Sequence, residues 1–329
     1  MDRSSKMILR KIIIDFVCLL IVGGAVLMFF LFGKPYKRGF FCNDESLYHP
    51  FHTSTVTSVM LYVIGLLLPI CTMIIGEYLY ARHCDVDSTK ILFGYNIPPW
   101  LWGAYEKIGI FGFGAATTVL ITDIAKYTIG RLRPHFMTLC VPSINCSLPE
   151  NQHRYIENYV CTENISTRLL KEIRLSFPSG HSSFSAYTMI YLALYLQLRM
   201  TWKGSKLLKH FLQLLCILMA WFTALSRVSD YKHHWSDVLA GSTLGTIVAL
   251  VVVKNEQIVD YRVCSRVIYI CDICESPRSE IDRLHFLSIS SISSARLTSN
   301  CKTKRKKRKE STCASSQTNL KIAFGKFQR

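Results

Sequence analysis

"IIIDFVCLLIVGGAVLMFFLF" (residues 12–32) carries a single charged residue, Asp15, in its whole length. A helix crossing a bilayer needs about 20 mostly apolar residues, because it must cover roughly 30 Å of hydrocarbon. This stretch meets the requirement and predicts a first membrane span. Its length, its internal charge and the "GKPYKRGFF" after it (33–41), which lacks a small-residue cleavage site, argue against a cleaved leader. Five further runs read the same way, at about 57–76, 108–125, 184–198, 211–225 and 238–253. The predicted fold class is therefore all-α: an integral membrane bundle of six transmembrane helices.

The chain has 329 residues, half of them hydrophobic, and a formal net charge of +17. So basic a chain raises nucleic acid as a partner, but the charge is not spread over a folded domain. Sixteen of the 39 Lys and Arg lie at or beyond Lys254, including "KTKRKKRK" at 302–309. That run reads as a solvated, disordered tail, with anionic lipid at the inner leaflet as a secondary partner. No nucleic acid is expected on a six-span protein. The division is a cytosolic N-terminus (1–11), a six-span domain (12–253) and a basic cytosolic tail (254–329).

Positive charge also sets orientation. "MDRSSKMILRK" at the start holds four basic residues, and the 199–210 connection holds Arg199, Lys203, Lys206 and Lys209. Cytoplasmic loops concentrate Lys and Arg, so these ends face the cytosol with the connection at 77–107. Three connections then face outward, at 33–56, 126–183 and 226–237. Two N-glycosylation triplets, at Asn145 and Asn164, fall in the longest outward loop. Cys140, Cys146 and Cys161 share that loop and Cys42 lies in another. An oxidising compartment permits disulfides among these four, with connectivity left open. "CDIC" at 271–274 stands without a second pair and reads as structural or acylated thiols rather than a zinc site.

Three polar patches lie where apolar runs meet outward loops: "KYTIGRLRP" (126–134), "FPSGHSS" (177–183) and "SRVSDYKHHWSDV" (226–238). A bundle can gather all three at one end, whereas randomly placed polar residues would fall on both sides of the membrane. Lys126, Arg133 and Arg227 are fixed cations suited to phosphate oxygens. Ser179, Gly180 and His181 offer a hydroxyl, a close backbone approach and an imidazole just before a helix, whose free N–H groups bind anions. The set fits a tetrahedral dianion. Interfacial cations often only snorkel to headgroups, and Arg131 is assigned that role.

Of the two adjacent histidines, His233 has Asp237 four residues on, which on a helical turn shares its face. A carboxylate on one imidazole nitrogen leaves the other free as nucleophile or base. His234 has Val238 at that spacing and is assigned to packing or the rim. His181 is the candidate proton donor to a departing alkoxide. Asp123 and Asp230 are assigned as local partners of Lys126 and Arg227. The carboxylates are too few for a metal cage, so neither metal nor other cofactor is expected.

Lys126–x6–Arg133–Pro134, Pro178-Ser179-Gly180-His181 and Ser226-Arg227–x5–His233–x3–Asp237 resemble the three-part signature of the phosphatidic acid phosphatase type 2 superfamily. "GFFCNDESL", "GRLRPHF" and "FPSGHSSFS" resemble its animal branch, the lipid phosphate phosphatases (phospholipid phosphatases, wunen-like proteins included). The resemblance runs from about residue 10 to 255. It implies a metal-independent, six-span enzyme with an outward-facing site. It further implies a phosphohistidine on His233, oriented by Asp237, with His181 as general acid. Lys126, Arg133, Ser179, Gly180 and Arg227 would hold the phosphate. Implied substrates are phosphatidate, lysophosphatidate, sphingosine 1-phosphate and ceramide 1-phosphate, at the plasma membrane or alternatively in endoplasmic reticulum or Golgi membranes, and homo-oligomers are common. The competing readings are a catalytically inactive relative acting as a lipid-binding or interaction protein, a sugar-phosphate phosphatase, a soluble peroxidase and a channel. The inactive relative is disfavoured because every motif position is filled. The channel is disfavoured because mid-span positions are mostly Leu, Ile, Val, Gly and Phe.

Overall fold

The structure is a computed structural model that describes residues 3–83, 90–162, 166–200 and 206–275. The chain divides into two compact units, Met1–Gln257 and Ile258–Arg329. The first contains all three polar patches; of the second, residues 258–275 are described and are helical. Asn164 and the "KTKRKKRK" run lie outside the described residues.

The architecture is helical: α1 (Arg3–Phe32), α2 (Ser58–His83), α3 (Pro99–Ile129), three short helices α4 (Phe136–Cys140), α5 (Pro149–Gln152) and α6 (Thr167–Glu172), then α7 (Gly180–Arg199), α8 (Lys206–Ser229) and α9 (Trp235–Glu275). Two small antiparallel ribbons complete it. β2 (Lys90–Leu92) pairs with β3 (Tyr95–Ile97), and β1 (Phe40–Phe41) pairs with β4 (Tyr155–Ile156) with Phe40 opposite Ile156. Each long helix overruns the apolar run that predicts it by several residues at one end or both.

Among the described residues, five helices are long and apolar enough to cross a membrane: Ser5–Phe32, Ser58–Arg82, Pro99–Ile129, Leu207–Ser229 and Trp235–Asn255. The run at 184–198 falls in α7, which is not among them. Its composition follows from its place. Thirteen of its twenty residues are buried, Ser182, Ser183, Ser185, Tyr187 and Thr188 among them, and it packs against α2, α3 and α8. A helix shielded from lipid by its neighbours is free to carry hydroxyls that bond within the bundle. Thr122 and Ser183 hydroxyls meet at 2.9 Å, and Tyr187 Oη donates to Phe111 O at 2.8 Å. α9 approaches α7 through Gly241 and Gly245: a Cβ at Gly241 would stand 2.5 Å from Ser179 O, and one at Gly245 would collide with Ser183 O. Glycines four apart let two helix backbones come this close.

α1 is the opposite case. No residue in its apolar window is buried, and it packs mainly on α3. Asp15 is accounted for there, accepting from Tyr105 Oη at 2.8 Å. The start of α1 also meets the β2–β3 end of the molecule, where Ser5 Oγ donates to Ile91 O and Lys11 pairs with Glu106 at 2.7 Å.

At the other end, two predicted outward loops fold into one cap. Phe40, Leu47, Leu132, Phe136, Met137, Ile156 and Ile173 form its apolar centre. The disulfides Cys42–Cys146 and Cys140–Cys161 pin it. All four cysteines of the predicted outward loops are paired, and Asn145, beside Cys146, is exposed with its side-chain oxygen accepting from Ser147 N–H.

Candidate active site

The cap end is where the three patches meet. Lys126 closes α3 and approaches Gly180, the first residue of α7, so closely that a Cβ there would stand 2.8 Å from Lys126 Nζ. Ser179 caps α7, its N–H donates to Asp237 O at 3.0 Å, and its side chain accepts from Ser182 N–H. The loop after α3 is tied to the same place, with Arg133 N–H donating to Ile173 O at 2.9 Å and Ser176 N–H to Arg131 O at 3.0 Å. Backbone bonds from Lys232 and His233 N–H to Arg227 O, at 3.0 and 3.2 Å, curl residues 227–233 over the end of α8.

His233 is buried, and Nδ1–H donates to the carbonyl oxygen of Ser176 at 2.7 Å. Asp237 Oδ2 stands 3.9 Å from the same nitrogen, near enough to act as a charge but too far for a good hydrogen bond. The expectation that Asp237 grips His233 directly is therefore corrected. Its physical reason is local: α9 begins at Trp235, so His233 sits in the preceding turn and helical four-residue spacing does not apply to it. Ser176 joins the two residues instead. Its hydroxyl donates to Asp237 Oδ2 at 2.6 Å while its carbonyl receives the His233 proton. Burial is the largest influence on the His233 imidazole, and the Arg133 and Lys126 charges add to it, holding its pKa down to about 3 against the opposing effect of Asp237. At neutral pH the ring is thus uncharged, with Nε2 bearing the free lone pair.

Two further assignments change. Arg131 does not snorkel: its guanidinium donates to Asp237 Oδ1 at 2.5 Å and to Ser236 Oγ at 2.8 Å. His234 is not remote from the acid either. Its N–H donates to Asp237 Oδ2 at 3.1 Å, its Nδ1 lies 3.4 Å from the same oxygen, and its Nε2 lies 3.4 Å from Ser46 Oγ in the loop between α1 and α2. Asp237 N–H in turn donates to His234 O at 3.0 Å, a reciprocal arrangement that closes the first turn of α9.

Two further pairs are local. Asp123 stands 3.8 Å from Lys126, and Asp230 accepts from Arg227 at 3.0 Å and from both donors of Thr55 at 2.8 and 2.7 Å. Among the described residues of the three patches, two buried nitrogens are left without a partner, Arg133 Nε and His181 Nε2. A buried polar group without a hydrogen bond is costly, and these two come from opposite patches. The charges of Arg227, Lys126 and Arg133 all act on His181, so the two unpartnered nitrogens belong to one cationic cluster. Among the described residues no cluster of three or more His, Cys, Asp or Glu is placed to hold a metal ion.

A cluster of cationic side chains around a buried imidazole anchored on Ser176, at one end of a helical membrane bundle, points to a class. Residues 107–259 match the model of the PAP2 superfamily. The chain is 54% identical over 261 residues to a protein of Drosophila melanogaster named "Putative phosphatidate phosphatase", covering 76% of this chain and 69% of that one. It is 42% identical over 250 residues to "Phospholipid phosphatase 1" of Rattus norvegicus, covering 74% and 84%. With "Phospholipid phosphatase 2" of Homo sapiens it shares 38% over 246 residues, covering 74% and 81%. No solved structure matches the chain. The chain belongs to the PAP2 superfamily. Within it, the chain falls in the lipid phosphate phosphatase branch.

Proposed function

We propose that this protein hydrolyses lipid phosphomonoesters by covalent catalysis at the cap end of a six-span bundle. Phosphatidate, lysophosphatidate, sphingosine 1-phosphate and ceramide 1-phosphate are its substrates. The observation that carries this reading is the pair of orphaned donors, Arg133 Nε and His181 Nε2, beside a neutral His233. Lys126, Arg133, Arg227 and the start of α7 hold the phosphate. His233 Nε2 attacks phosphorus; the P–N bond forms as the P–O bond to the lipid alcohol breaks, and His181 gives the departing oxygen its proton. Water then attacks the phosphorus, giving a proton back to His181 as the P–N bond breaks, which yields inorganic phosphate and restores both histidines. Stabilising charge on the transferred group is the main task in phosphoryl transfer, which is what a cationic pocket supplies. The Asp123, Asp230 and Asp237 carboxylates are each occupied by a cation, which supports chemistry without a metal.

The relatives' names support the substrate class, and α7, fourth in chain order, completes the six spans, admitted to the bilayer by the neighbours that cover it. The test is phosphate release by the full chain in detergent micelles with EDTA, on these four lipids and on glucose 6-phosphate. Activity on the lipids and not on the sugar phosphate is expected; magnesium dependence or sugar-phosphate preference would refute the reading.

The cap, by the same proposal, faces outward at the plasma membrane. Enzymatic deglycosylation is expected to raise the gel mobility of protein from a glycosylating host. Asn145→Gln with Asn164→Gln should remove that change. Mobility unaffected by the glycosidase in wild type would contradict the exoplasmic assignment.

A further inference from the structure

The charges around the pocket do not balance. Three cations have carboxylate partners: Lys126 with Asp123, Arg131 with Asp237 and Arg227 with Asp230. Two have none within 4 Å among the described residues, Arg133 and Lys232. Arg133 was read from the motifs; Lys232 was not. Lys232 is only 7% exposed, and its ammonium sits 3.6 Å over the centre of the Phe51 ring. Phe51 comes from the first outward loop and is itself braced edge-on against His135 at 5.1 Å. A cation–π contact fixes the position of an ammonium without neutralising it.

A nearly buried ammonium beside two guanidinium groups is unfavourable unless an anion offsets it. Two unmatched positive charges equal the charge of an ionised phosphomonoester. We propose that Lys232 is a substrate-binding residue, held ready on Phe51, that with Arg133 matches the dianionic phosphate and so favours monoesters over singly charged diesters. This rests on the phosphatase reading and refines it.

The groups acting on Lys232 come from several elements: Arg133 and His135 from the loop after α3, Glu172 from α6, and Arg227 and Asp230 from the end of α8. Glu172 is also engaged by Arg168 at 3.5 Å, and His135, buried with its pKa held down to about 4, is uncharged at neutral pH. Burial first, then Arg133, bring the Lys232 pKa down to about 8, against the pull of Asp230 and Glu172. In the free enzyme Lys232 is therefore charged at pH 7 and loses its proton as pH rises through about 8. Phosphate affinity should fall with that proton.

The experiment uses full-length protein in micelles with Lys232→Met and Lys232→Arg variants. Inorganic phosphate is the probe, read as the rise in Tm it produces at pH 7 and pH 9.5, a measurement independent of turnover. Wild type is expected to gain at pH 7 and far less at pH 9.5. Lys232→Arg should gain at both, and Lys232→Met little at either. Kinetically, kcat/KM of wild type on lysophosphatidate should fall above pH 8, and the fall should move to higher pH in Lys232→Arg. Lys232→Met should lose about 10- to 100-fold at pH 7, the worth of one charge-assisted hydrogen bond, mostly through KM. Equal phosphate stabilisation of wild type and Lys232→Met, or an alkaline fall unmoved in Lys232→Arg, would overturn the assignment. A wild type that binds phosphate with this pattern but releases none from lipids would instead sink the phosphatase reading.

Discussion

His233→Ala should abolish phosphate release from every substrate, by at least about 10³-fold, because the attacking atom is gone and no neighbouring group replaces it. His181→Ala should behave differently, and the difference identifies its role. A general acid matters in proportion to how poorly the leaving group departs unaided. For a lipid alkoxide, loss of the acid should cost about 10²–10⁴-fold. For an aryl phosphate whose phenolate leaves readily near neutral pH, His181→Ala should keep most of its activity while His233→Ala keeps none. Quenching in alkaline detergent after reaction with radiolabelled aryl phosphate should also trap label on wild type and on His181→Ala, in the acid-labile, alkali-stable form of a phosphohistidine, and none on His233→Ala. Label retained by His233→Ala, or equal losses for both variants on both substrates, would refute the division of roles.

How much of this was legible beforehand depends on which atoms do the work. The apolar runs gave five of the long helices because lipid exposure demands continuous hydrophobicity, and α1 shows the demand undiluted. α7 shows where that logic weakens: enclosed by other helices, it carries hydroxyls that lipid would not tolerate, and it begins at Gly180 inside a motif rather than at the apolar run. The motif cations were legible because a fixed positive charge belongs to the residue type itself, whatever the fold around it. Ser176 was not, since its contact with His233 is made by a carbonyl, which every residue possesses. Arg131 and Asp237 were misjudged for related reasons. Helical spacing was extended two residues too far, to a histidine that precedes α9, and no periodicity relates Arg131 in one loop to Asp237 in another. Lys232, between a tyrosine and two histidines, carries no signal in the sequence because its distinguishing property, burial without a carboxylate, exists only once Phe51 is brought over from the loop between α1 and α2.

Arg131→Met is the second large effect expected, and it should act on stability as well as on rate. Asp237 is fully buried while Arg131 is one-third exposed, so removing the arginine strands a carboxylate that water cannot reach. Breaking one side of a buried pair costs about 3–5 kcal/mol; with Arg131 partly solvated, roughly 1–3 kcal/mol is the appropriate discount. Tm of Arg131→Met should fall accordingly. Asp237→Asn should fall less, because the arginine it frees can turn to solvent, and Arg131→Met combined with Asp237→Asn should recover stability relative to Arg131→Met alone. Activity should not recover with it. Asp237 also anchors the Ser176 hydroxyl, whose carbonyl fixes the tautomer of His233, so the double variant should stay at least about tenfold below wild type in kcat. A double variant as unstable as the sum of its parts would show that the two residues do not act as a pair. One that is stable and fully active would show that the His233 tautomer is set without Asp237.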